Sequence, residues 1–239
     1  MQTLTRPYRV TFPMVLLVSM VPFYILIADS IRGRPMNAPE LDWDRLVPLQ
    51  PTWALVYGSL YLFLILLPVF LVRQEEHLRR TVFAYLSVWM TAYACFLAYP
   101  TEAPRPPAVV GDGFAAWGLR FLYDADPPYN CFPSLHVAHS FVSALACYRV
   151  HAAIGIVAVV SAALVGVSTL FTKQHYILDV VAGVALASLA YVAFMRGARV
   201  RVIPEHDHFV APVLALVVVG IVIVAFACYW VAYLLSGRM

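Results

Sequence analysis

Apolar runs of about twenty residues recur along this chain, and no other feature limits its fold as strongly. A hydrocarbon core about 30 Å thick is crossed by about 20 apolar helical residues, because backbone N–H and C=O groups inside lipid must be satisfied within the segment. Seven runs are read, at 10–28, 53–72, 81–100, 132–150, 152–171, 175–195 and 210–235. Only 12% of the 239 residues are charged and mean hydropathy is +0.80, where a soluble domain carries about 25% charged residues. The expectation is an all-α, polytopic transmembrane helical bundle of about six to seven spans, a single integral membrane domain over 1–239. The run at 10–28 follows a basic start, but it is long and "PEL" at 39–41 makes a poor cleavage site, so it is read as a span.

A formal charge of +3 is too small to argue for nucleic acid, and arginines flanking helices are what topology requires. Nine of the sixteen Lys and Arg residues (Arg6, Arg9, Arg73, Arg79, Arg80, Arg149, Arg196, Arg199 and Arg201) fall on one side, with the amino terminus. The positive-inside rule makes that side cytoplasmic. The break at 101–131, the start of the fourth run and the junction of the fifth and sixth then share the non-cytoplasmic side. Within that break, "GFAAWGLRFLY" at 113–123 reads as an interfacial helix that either gates lipid access or packs over the loop. Cys95, Cys131, Cys147 and Cys228 lack CxxC spacing and read as small buried hydrophobes. The compact, Arg- and Ala-rich chain suggests a prokaryotic cytoplasmic membrane.

Ionisable residues gather at this one level. "FPSLHVAH" at 132–139 and "TKQHYILD" at 172–179 contain three of the seven histidines. His136 follows Pro133, which suits a first helical turn, and Ser134, a hydroxyl ligand at a helix amino end whose N–H groups and dipole favour a phosphate. His139, one turn on, reads as packing. His175 and Asp179 are four apart on one helical face, so the carboxylate can fix the imidazole tautomer and leave the other nitrogen as nucleophile or base. A carboxylate inside an apolar span is a functional hypothesis by default. Lys173, Thr172, Ser168 and Thr169 add a cation and hydroxyl donors for phosphate oxygens. Arg105, stiffened by flanking prolines, offers a planar fork that matches phosphate. Two histidines, an aspartate, cations and hydroxyls, with no metal-ligand cluster and no cofactor implied, describe metal-independent phosphoryl transfer.

Arg105-Pro106, Pro133-Ser134-Leu135-His136, and Ser168-Thr169 followed by His175 and Asp179 resemble the signature motifs of the type-2 phosphatidic acid phosphatase superfamily, KxxxxxxRP, PSGH and SRxxxxxHxxxD. The resemblance covers about 99–183 and implies that His175 attacks phosphorus to form a phosphohistidine, that Asp179 orients it, and that His136 protonates the leaving group and later activates the acceptor. It also implies that Arg105, Ser134 and the fourth helix's amino end bind phosphate. Ala98 stands in place of the motif lysine, Thr169 in place of the arginine and Leu135 in place of the glycine. Two phosphate-binding cations are thus missing, and Lys173 is a candidate substitute. "FPSLH" and "HYILD" resemble the inositol phosphorylceramide synthase and sphingomyelin synthase branch. The expected activity is therefore transfer from a lipid phosphate or phosphodiester to an alcohol such as a polyol. The alternatives are hydrolysis of a phosphatidic acid- or isoprenoid-type phosphomonoester, a non-enzymatic membrane carrier, and a catalytically dead binding protein.

Overall fold

The computed structural model describes residues 20–197 and 204–236. Residues 10–19 of the first apolar run, with Arg6, Arg9, Arg199 and Arg201, lie outside the described residues. Nine α-helices occur among the described residues: α1 Val21–Ile31, α2 Asp42–Leu46, α3 Trp53–Leu71, α4 Glu75–Ala98, α5 Phe114–Ala125, α6 Leu135–Tyr148, α7 Ala152–Phe171, α8 Ile177–Ala190 and α9 Pro204–Leu235. A π turn, Tyr191–Met195, extends α8. The protein is a helical membrane bundle. Five of its helices are long and apolar enough to cross a bilayer, α3, α4, α7, α8 with its π turn, and α9 from His208. Two further apolar helices are shorter, Pro22–Ile31 and Leu135–Tyr148.

The fourth run therefore differs from the expected span. Ser134 is the N-cap of α6, its hydroxyl accepting from the N–H of Val137, so Pro133 precedes the cap instead of occupying the first turn. At 14 residues α6 is about 21 Å long, short of a hydrocarbon core about 30 Å thick. It is nonetheless the hub of the bundle, packing against α3, α4, α7 and α8. Its Leu135, Ala138, Val142 and Ala146 join one buried cluster with α4 and α8, while Ala144 and Cys147 join a second with α3 and α7. Tyr85 of α4 and Ser143 of α6 share a buried 2.6 Å hydrogen bond, which satisfies two hydroxyls inside apolar surroundings.

The breaks meet at two ends. At one, Arg79 and Arg80 pair with Glu76 on the first turns of α4, Arg80 reaches the carbonyl of Phe194, and Arg149 caps α6. At the other, the main chain of Gln50 donates to Phe171 (2.9 Å) and the Tyr123 hydroxyl donates to the Thr172 carbonyl (2.6 Å). Burial pushes the Tyr123 hydroxyl up to about 12, so it stays a donor. Helix α5 lies over this end and packs on α9 through Phe114, Trp117, Phe121, Tyr229 and Tyr233.

Asp44 ties the second end together. Its carboxylate accepts from the N–H of Leu41 (2.7 Å) and from that of Ile177 (2.8 Å), capping α2 and the head of α8 at once. Asp44→Ala is expected to remove about 2 kcal/mol or more, seen as a lowered thermal unfolding midpoint in detergent. An unchanged midpoint would remove Asp44 from the architecture of the site.

Candidate active site

The head of α6 and the head of α8 touch. The Ser134 N–H donates to the Asp179 carbonyl at 3.0 Å, and Gly183 lets the two backbones approach. A Cβ at Gly183 would stand 2.6 Å from the Ser134 carbonyl oxygen and 3.1 Å from Cβ of Val137. Gly183→Ala must therefore part the helices, and it is expected to cost about 1–3 kcal/mol and most of the protein's activity. Wild-type unfolding and turnover in that variant would show the approach to be slack.

Two imidazoles face each other across this contact. His175 Nδ1 lies 3.3 Å from Asp179 Oδ2, and His175 Nε2 lies 3.3 Å from His136 Nδ1. Asp179 Oδ2 also accepts from the N–H of Tyr176 (2.9 Å), which fixes the carboxylate at the start of α8. The Asp179 side chain is 0% exposed and that of His175 4%. A carboxylate bonded to one imidazole nitrogen holds the proton there and leaves the opposite nitrogen with its lone pair. The edges of Tyr57 and Tyr61, from α3, wall the ring of His136, with centroids 5.6 and 5.2 Å away. His139 stacks on Tyr85 at 4.7 Å, the packing role its position suggested.

Arg105 reaches the same place, its guanidinium already engaged. It donates to the carbonyls of Asp126 (2.7 Å) and Tyr123 (3.2 Å), lies over the Tyr123 ring and approaches Asp126 Oδ2 at 3.7 Å. Its Nε is buried without a hydrogen-bond partner among the described residues. The other expected phosphate ligands are less available. Ser168 and Thr169 are buried and give their hydroxyl protons to Val165 and Gly166 within α7. The Lys173 ammonium donates to the Asp44 carbonyl at 3.1 Å, from a turn in which Lys173 has φ 53°. The N–H groups of Leu135 and His136, which no helical carbonyl satisfies, open α6 toward the site.

Asp126 is the residue that sequence reasoning missed. Its Oδ2 lies 3.9 Å from His136 Nε2, and its Oδ1 accepts from the Tyr24 hydroxyl at 3.0 Å. The available signal was an acid ten residues before His136, in a break already assigned to this level. Cys131 was also read as mere packing, yet its thiol comes within 4.8 Å of ligand atoms of His175 and Asp179. Burial pushes this thiol well above its usual pKa, and it donates to the Pro128 carbonyl. His175 and Asp179 already use each other, through the 3.3 Å contact of Nδ1 with Oδ2.

Buried imidazoles at two helix heads, one carboxylate behind each, form a polar centre inside the apolar bundle of a polytopic membrane protein. Residues 45–193 match the PAP2 superfamily, and the chain belongs to that superfamily. It is 27% identical over 134 residues to a PA-phosphatase related-family protein of Dictyostelium discoideum. The match takes in 50% of this chain but only 24% of that relative's length. No solved structure matches the chain.

Proposed function

We propose that this protein is a membrane-embedded phosphotransferase that moves the phosphoryl group of a lipid phosphodiester to an alcohol through a phosphohistidine on His175. The continuous array Asp179, His175, His136, with both links at 3.3 Å, carries this reading. Asp179 holds the Nδ1 proton, His175 Nε2 attacks phosphorus, and His136 supplies the leaving group's proton before taking one from the acceptor. Arg105 Nε and the first-turn N–H groups of α6 hold the phosphate oxygens, with the Ser134 hydroxyl fixing that turn. Lys173, Ser168 and Thr169 shape the turn that presents His175, the Thr169 carbonyl accepting from the N–H groups of Gln174 (2.9 Å) and His175 (3.3 Å). No metal or cofactor enters the scheme. The chemistry belongs to one membrane domain, with the reacting groups within 99–183 and open to the non-cytoplasmic side of a prokaryotic cytoplasmic membrane.

Charge supports a phosphodiester. Around the imidazoles stand one guanidinium and the carboxylates of Asp126 and Asp179, a balance that suits a monoanion better than a phosphomonoester dianion. Burial supports an alcohol as acceptor, since His175 is 5% exposed and little water reaches it. A cavity of about 240 Å³ between α3, α5 and α9, lined by Leu55, Tyr57, Gly58, Phe121 and Phe226, is apolar enough for a lipid chain and ends at Tyr57 beside His136.

The test is a lipid-extract assay with the purified protein, with and without added polyols. A new phosphodiester formed only when a polyol is present is the expected result. Phosphate release at a rate independent of any alcohol would make the protein a lipid phosphate phosphatase instead.

A further inference from the structure

We infer that Asp126 is a positioning residue for proton transfer, holding the Nε2 proton of His136 so that Nδ1 alone exchanges protons with leaving group and acceptor. The inference rests on the proposed roles of His175 and His136. A carboxylate beside a phosphate site weakens anion binding, so its presence calls for a compensating task. Asp126 is also firmly placed. Tyr24 donates to Oδ1 at 3.0 Å, Arg105 stands 3.7 Å from Oδ2, and the Asp126 carbonyl accepts from Arg105 at 2.7 Å.

The two carboxylates bracket the two rings in sequence: Asp179 Oδ2 to His175 Nδ1, His175 Nε2 to His136 Nδ1, and His136 Nε2 to Asp126 Oδ2, at 3.3, 3.3 and 3.9 Å. With the His175 proton held by Asp179, His175 Nε2 carries a lone pair. A bare Nδ1 on His136 would face that lone pair, and a bare Nε2 would face the Asp126 carboxylate. A proton on Nε2 meets the Asp126 carboxylate, which leaves Nδ1 to carry the exchanging proton toward the reacting oxygen. The 3.9 Å separation is an ion-pair distance, and such contacts tighten when substrate binds.

Proton and bond changes then balance. In the first half-reaction the His175 Nε2–P bond forms, the P–O bond to the leaving alcohol breaks, and the His136 Nδ1 proton passes to that oxygen. In the second, the acceptor oxygen takes phosphorus, the P–N bond breaks, and the acceptor's proton returns to Nδ1. The Nε2 proton stays on the Asp126 side throughout, as the Nδ1 proton of His175 stays with Asp179.

The test compares leaving-group release in a single turnover from two phosphodiesters by the full chain reconstituted in lipid nanodiscs: dodecyl p-nitrophenyl phosphate, whose nitrophenolate departs without a proton, and didodecyl phosphate, whose dodecanol needs one. Asp126→Asn is expected to slow release of dodecanol from didodecyl phosphate about 10- to 100-fold and release of nitrophenolate from dodecyl p-nitrophenyl phosphate less than about threefold. Asp126→Glu, which keeps the charge, is expected to restore most of the alkyl rate. Equal losses on the two esters in a folded Asp126→Asn protein would overturn the inference. Nitrogen-labelled histidine in the wild-type chain gives a second, activity-free reading, in which His136 Nε2 carries a proton; a bare Nε2 overturns it equally. Turnover of both esters by His175→Ala is a different result, and it would remove the underlying mechanism.

Discussion

His175→Ala is expected to lower turnover by at least about a thousandfold while the bundle still folds. The substitution removes the group that links Asp179 to His136, since both 3.3 Å contacts end on this imidazole. It leaves a buried carboxylate, but one that still accepts from the Tyr176 N–H at 2.9 Å, so the stability loss is expected to stay near about 1–3 kcal/mol. Turnover, the thermal midpoint and capture of an acid-labile phosphoryl group from labelled substrate should be measured together. The wild type is expected to trap label and the variant to trap none. A variant that still turns over at a tenth of the wild-type rate would end the assignment of His175 as nucleophile.

Asp179→Asn is expected to have an effect of similar size, about a thousandfold or more, by a different route. An asparagine in this place keeps an oxygen for the Tyr176 N–H and so keeps the cap of α8. It has no negative charge, and its amide can present a donor to His175 Nδ1. The ring then takes the opposite tautomer, with a proton on Nε2 where the lone pair is needed. Folding and lipid binding should survive, and phosphohistidine formation should fail in a single-turnover measurement. If Asp179→Asn formed the intermediate at the wild-type rate, the carboxylate would be a helix cap and nothing more.

The sequence revealed the helices and the His175–Asp179 contact better than it revealed what surrounds that contact. Apolar length marked the long helices because lipid imposes that length directly, and the four-residue spacing placed His175 and Asp179 together because a helix repeats every 3.6 residues or so. Asp126 and Asp44 could not be placed in this way. Their work is done across 102 residues to Tyr24 and 133 residues to Ile177, and no local period encodes such contacts. Lys173 has a long-range partner of the same kind. Two residues from His175 in the chain, it sits at φ 53° in a tight turn, and its side chain runs to Asp44. Ser168 and Thr169 occupy the expected helix end, but their protons go to their own helix, a choice that residue type alone does not fix.

The shortness of α6 makes the surrounding membrane a reagent in its own right. A helix of 14 residues rises about 21 Å, so with its Arg149 end at one surface of an average hydrocarbon layer about 30 Å thick its His136 end falls short of the other. A thicker bilayer sinks the imidazoles further from bulk water, and a thinner one brings water to them. The same polypeptide should accordingly favour alcoholysis in long-chain lipid and leak toward hydrolysis in short-chain lipid, so that acyl length sets the partition between products.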